Sequence, residues 1–170
     1  MAGQQEFRHR NTFGATASSS YGAFWAALAT FIVLDLAHAL PSTLNVNNAL
    51  GWFFASFAIF NMYMLLCSTR LTKAVFAVFL TLEVTEMPVF IGYFLVGAGH
   101  ASGTDVLHAA GYVGVVTAAC AWYASAAGVI NSMSDHPVLK VGSPIWAGHG
   151  GAVQPAARLG GGYGQAIPQH

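Results

Sequence analysis

The chain has 170 residues, of which 55% are hydrophobic and only 7% charged, whereas roughly a quarter of an ordinary soluble domain is charged. Six cations balance six acids, so there is no basic footprint for nucleic acid. So few charges cannot coat a water-soluble fold of this size, and the membrane class remains.

Crossing the hydrocarbon core takes about 20 apolar residues in a helix, and four windows meet that length: residues 18–40, 48–67, 73–97 and 108–131. Lipid offers no partner to backbone N–H and C=O groups, and no strand-like alternation is present, so these windows read as helices. Pro41 is expected to close the first, and Gly97 to Gly99 the third. The fold class that follows is all-α, a polytopic membrane helix bundle with four transmembrane helices within residues 1–141. Residues 142–170 are rich in Gly, Pro, Ala and Gln and lack apolar periodicity, which predicts a disordered tail.

All six cations fall on one side of such a bundle. Arg8 and Arg10 precede the first window, Arg70 and Lys73 lie between the second and third, and Lys140 and Arg158 follow the fourth. The positive-inside rule assigns that side, and with it both termini, to the cytoplasm.

In chain order, the first notable pattern is a stripe of small residues. Gly14, Ser18, Gly22, Ala26 and Thr30 recur every four positions, which predicts a helix face that lets a second backbone come close. Tyr21 lies beside that stripe and carries a hydroxyl that needs a partner. Asp35 and His38, three apart near the end of the first window, can form a polar pair. Trp25, Trp52, Phe53, Phe54, Phe57, Phe60 and Trp122 read as lipid-facing or core-filling aromatics. Cys67 and Cys120, both inside apolar runs, read as small buried hydrophobes.

Glu83 and Glu86 are the strongest polar signal. Ionisable groups inside membrane helices are rare and point to function by default. These two lie three apart near the middle of the third window, so they share roughly one face. Pro88 removes a backbone donor close by. The pair can relay protons, or it can bond to neighbouring hydroxyls and amides and lock the packing. No Lys or Arg occurs at that depth, so an anion there would find hydroxyl and amide dipoles and no fixed counter-charge. Thr16, Ser20, Tyr21, Asn61, Thr81, Thr85 and Thr117 supply such dipoles.

The stretch Asn11-Thr12-Phe13-Gly14-x-Thr16, followed by Ser20-Tyr21-Gly22-x-Phe24-Trp25, resembles the signature at the third transmembrane helix of the acetate uptake transporter family. That family includes bacterial succinate–acetate permeases and fungal acetate and ammonia-export proteins. The resemblance continues to about Val141 with lower specificity. The family has six helices, the first of which carries an Asn-Pro-Ala-Pro-Leu-Gly type motif absent from this sequence. Residues 1–7 resemble the tail of its second helix, so the chain reads as a fragment or a shortened relative.

The resemblance implies a hydrophobic constriction built from a Phe of the first helix, the Tyr of the Ser-Tyr-Gly motif and a Leu of the fifth helix. Tyr21 matches the second, and Leu82 matches the third if Ile91-Gly92 sets the alignment; the Phe has no counterpart here. It further implies a compact bundle per protomer and a ring-like homo-oligomer, a hexamer, in the plasma membrane. Contacts at Gly51/Ala55 and Ala110/Gly114/Ala118 would serve that assembly.

The function so implied is a membrane transporter or channel for acetate and similar small monocarboxylates, with succinate as a further substrate, coupled to protons through Glu83 or Glu86. Tyr21 and Leu82 would form the constriction, and Thr16, Ser20, Asn61 and Thr85 its polar lining. Gly14, Ser18, Gly22 and Ala26 would serve helix packing. The alternatives are a non-conducting shortened relative or regulatory subunit, a plain tetraspan scaffold, and ammonium export. No His-Glu-x-x-His, Cys-x-x-Cys, Walker-type loop or Gly-x-Ser-x-Gly is present, so neither enzyme, metal nor cofactor is expected. The expected partners are the lipid bilayer, a small carboxylate and further copies of the chain.

Overall fold

The computed structural model describes residues 2–146, and the greater part of the expected tail, residues 147–170, lies outside them. The described chain contains five helices: α1 (Ala2–Arg8), α2 (Thr12–Leu36), α3 (Val46–Ser68), α4 (Lys73–Gly97) and α5 (Ser102–Ser132). The last four are long and apolar enough to cross a membrane.

Short polar side chains start three of these helices, α2, α3 and α4. The Asn11 side chain accepts from the Gly14 N–H (3.0 Å), Asn45 from Asn48 (3.0 Å) and Thr72 from Val75 (3.3 Å). Each satisfies an orphan donor of a first turn. The Asn11 cap sets the start of α2 at Thr12, earlier than the apolar window. Similarly, α5 begins at Ser102, well before 108, with Asp105 in its first turn, where the helix dipole favours an acid. At the other end, α2 stops at Leu36, short of Pro41. The break comes at His38, which turns into the left-handed region (φ 53°) and donates its backbone N–H to the Asp35 carbonyl. The link between Asp35 and His38 thus runs through the backbone.

Among the described residues, backbones approach closely only between helices adjacent in sequence: α1 with α2, α2 with α3, α3 with α4, and α4 with α5. The contact between α2 and α3 is the slightest. In this helix array α4 is well covered on two sides, by α3 and α5.

Glycines permit the close contacts. A Cβ on Gly103 would sit 2.6 Å from the Val96 backbone nitrogen and 2.8 Å from the Gly92 carbonyl, so α5 crosses α4 almost backbone to backbone. Gly51 of α3 lies under the Phe94 ring of α4 in the same way. Ala110 is fully buried. The α2–α3 contact is instead aromatic: the ring centroid of Phe24 lies 4.5 Å from that of Phe57 and 5.0 Å from that of Phe53.

The chain leaving α5 folds back beneath the α3–α4 turn. Asn131 accepts from the N–H groups of Val138 (2.8 Å) and Leu139 (2.9 Å), and the Tyr123 hydroxyl donates to the Lys140 carbonyl (2.8 Å). The Ala74 N–H donates to the Val141 carbonyl (2.9 Å), while Ile145 and Trp146 both donate to the Thr69 carbonyl (3.0 Å). Arg70 rests 5.0 Å above the Trp146 ring. Residues 138–146 are therefore a strap. Ile145 and Trp146 cover the Thr69 carbonyl, left open at the C-cap of α3. The strap gathers Arg70, Lys73 and Lys140 at one end of the array.

Candidate functional site

Glu83 and Glu86 of α4 are both buried, 6% and 5% exposed. Opposite them on α3 stands Asn61, which is fully buried. Its side-chain NH2 donates to Glu83 Oε2 (2.6 Å) and to the Phe79 carbonyl one turn earlier (3.2 Å). Its side-chain oxygen accepts from the Tyr21 hydroxyl of α2 (2.7 Å). Both amide hydrogens and the amide oxygen are thus engaged, and one side chain ties three helices together. A phenol can donate to the oxygen of Asn61 and not to its NH2, so the network runs in one direction: Tyr21 to Asn61 to Glu83.

The network ends in one bare oxygen, and Glu86, outside the network, presents a second. Glu83 Oε1 and Glu86 Oε2 are buried and have no hydrogen-bond partner. A carboxyl placed like Glu83 can carry a proton on Oε1 while Oε2 continues to accept from Asn61. Pro88 has no N–H to offer the Val84 carbonyl, which leaves another acceptor in the same turn. A second polar contact crosses from α4 to α5, where the Thr85 and Thr117 hydroxyls lie 2.9 Å apart.

Around the phenol the walls are aromatic. The Tyr21 ring lies 5.6 Å from Phe60, 6.3 Å from Phe79 and 6.5 Å from Phe57. Phe79 also meets Phe13 edge-on at 5.3 Å. The sequence reading did not single out Phe79. Its position four residues before Glu83 is the signal that could have found it, since that spacing puts both on one face of a helix.

The other expected site residues are spread more widely. Leu82 is half-buried on α4, next to Glu83. Ser20 is half-buried beside Tyr21. Thr16 is drawn elsewhere: with Ser19 and Ala15 it lines an open cavity of about 560 Å³ against Gly3, Phe7 and Arg8 of α1. The polar lining expected of Thr16, Ser20, Asn61 and Thr85 is therefore divided among three interfaces.

Among the described residues, the small-residue stripe meets another helix only at its first member, Gly14. Ser18, Gly22 and Ala26 are exposed, and a Cβ on Gly22 would meet nothing within 4 Å. Only Gly14 is covered, by Asn11 and Glu6. The pattern marks a face that permits close approach, and α3 approaches a different face of α2. Ala118 is likewise exposed, while Gly51, Ala110 and Gly114 serve contacts inside the chain. Cys67 is exposed rather than buried, and Cys120 is half-buried, because an apolar residue on a membrane helix is as readily placed outward as inward. Among the described residues, no group of three or more His, Cys, Asp or Glu is arranged to hold a metal ion.

Residues 1–143 match the family described as GPR1/FUN34/yaaH. Acetate permease A of Emericella nidulans is 34% identical over 166 residues, covering 89% of this chain and 53% of that protein. The succinate-acetate/proton symporter SatP of Escherichia coli is 30% identical, covering 84% and 71%. The solved structure of the bacterial acetate channel SatP superposes with a TM-score of 0.72 at 30% identity, over 83% of this chain and 74% of that one. The chain spans about half the length of the fungal relatives it matches.

Proposed function

The chain belongs to the GPR1/FUN34/yaaH family, and from that premise we propose that this integral membrane protein passes acetate and similar small monocarboxylates, succinate among them, across the plasma membrane together with protons. The observation that carries this reading is the Tyr21–Asn61–Glu83 network ending in the unpartnered Glu83 Oε1, with the unpartnered Glu86 Oε2 on the same helix. It supplies dipoles and proton-holding groups at mid-helix without a fixed cation. An acetate anion meeting two ionised acids is repelled, so cargo moves either as the neutral acid or while Glu83 and Glu86 hold protons. Either route links acetate flux to proton flux. Tyr21, at the centre of an aromatic ring of neighbours, narrows the passage, with Leu82 on the adjoining face of α4.

This reading places several copies in a homo-oligomer, a hexamer, where the exposed stripe of Ser18, Gly22 and Ala26 meets a helix outside the described array. Both termini and the strap face the cytoplasm. No bond is made or broken, so no residue is catalytic.

A second reading, ammonium passage, draws on the same carboxylates: unpartnered buried acceptors with no nearby cation suit a small cation better than an anion. Labelled acetate uptake into vesicles holding the purified protein, followed across pH, separates the two when ammonium flux is measured alongside. Glu83→Gln/Glu86→Gln is expected to flatten the pH dependence of acetate uptake. An unchanged profile removes the acids from the path, and ammonium flux without acetate flux favours the second reading.

A further inference from the structure

At the cation-bearing end of the array, α4, α5 and the strap enclose an open trough of about 590 Å³. Lys73 and Lys140 stand at its rim, while Ala77, Val116 and Ala119 form an apolar floor along the two helices. Tyr123 closes one side and is held there by its bond to the Lys140 carbonyl (2.8 Å). Lys73 is the first residue of α4, and the Ala74–Val141 backbone bond fixes the strap beside it. Both lysines are exposed. Lys73 begins a candidate span, and Lys140 is held beside that end by the strap, an end that meets lipid headgroups if α4 crosses the membrane.

Two ammonium groups above an apolar furrow complement an amphiphile with one anionic head and an alkyl chain. A soluble anion would use the lysines and leave the furrow bare, and an uncharged lipid would use the furrow alone. We propose that this trough is a binding site for an anionic phospholipid, its phosphate held by Lys73 and Lys140 and one acyl chain lying over Ala77, Val116 and Ala119. The site does not depend on what the protein passes. It adds a lipid requirement at the strap, which bound lipid would pin against the α3–α4 turn.

Native mass spectrometry and thermal unfolding of the purified protein in neutral detergent test this, with phosphatidylglycerol, phosphatidylcholine of the same acyl chains, and inorganic phosphate as probes. Phosphatidylglycerol alone is expected to bind and to raise the unfolding temperature. Lys73→Gln/Lys140→Gln should weaken that binding by roughly 30-fold, about fivefold for each lysine at a membrane surface. Ala119→Trp, which fills the furrow and keeps both lysines, should abolish it too and covers the case in which the double variant does not fold. Equal stabilisation by phosphatidylcholine, stabilisation by phosphate alone, or undiminished phosphatidylglycerol binding in both variants each overturns the proposal. So does a change in oligomer mass in the variants without any lipid dependence, since the trough is then covered by a second copy.

Discussion

Helix α2 and the α3–α4–α5 unit are built on different principles. Within the unit, Gly51 lies under Phe94 and Gly103 lies against the Gly92–Val96 backbone, so helices meet at close range over long faces. Helix α2 leans on α3 through large rings and one hydroxyl, and its own small residues face outward. The acids sit on the tightly packed side, and the tyrosine that reaches them sits on the loose side. Close packing resists deformation, whereas a helix held by a few rings and one hydrogen-bonded relay can shift against its neighbour. The contrast puts Glu83 and Glu86 on a rigid frame and Tyr21 on a part that can shift, the arrangement that the proposed function calls for.

Breaking the frame should have the largest effect. Gly103→Leu drives a side chain into the α4 backbone and should cost about 3 kcal/mol, the upper range for overpacking, read as a fall in unfolding temperature in detergent. Severing the relay comes next. Asn61→Leu strands the Tyr21 hydroxyl and Glu83 Oε2 in a buried site, an expected loss of roughly 2–3 kcal/mol accompanied by reduced acetate flux into vesicles. Filling the open face of α2 should matter least within one chain. Gly22→Ala meets nothing within 4 Å and should leave the isolated protomer unchanged or stabilise it by up to about 1 kcal/mol through helix propensity. If the stripe serves a neighbouring copy, the same substitution lowers oligomer mass in native mass spectrometry.

How much of this was legible follows from the physics of each signal. The membrane class and the four helices could be read because hydropathy and helix length are local properties. The acids could be read because charge in an apolar run is conspicuous. Helix ends were harder: the hydropathy window finds the stretch as thick as the bilayer, while caps such as Asn11 and polar turns such as Ser102–Asp105 extend the helix past it. Helix α1, seven residues long, is too short to show periodicity. The partner of Tyr21 lies 40 residues away, and which Asn it meets depends on how α2 is rotated against α3. Four-residue spacing reports that Gly14, Ser18, Gly22 and Ala26 share a face but not what that face meets. The strap was missed because its position comes from bonds to Asn131, Tyr123, Ala74 and the Thr69 carbonyl, not from its own composition.

The central claim is that Asn61 couples α2 to the acids of α4, and a double-mutant cycle tests it most directly. Tyr21→Phe and Glu83→Ala remove groups that make no hydrogen bond to each other but share Asn61. Their effects on unfolding free energy should be non-additive by about 0.5 kcal/mol or more, and the coupling should vanish in an Asn61→Leu background. Additivity within about 0.3 kcal/mol in the native background would contradict the account and leave Tyr21 and Glu83 as independent residues on neighbouring helices.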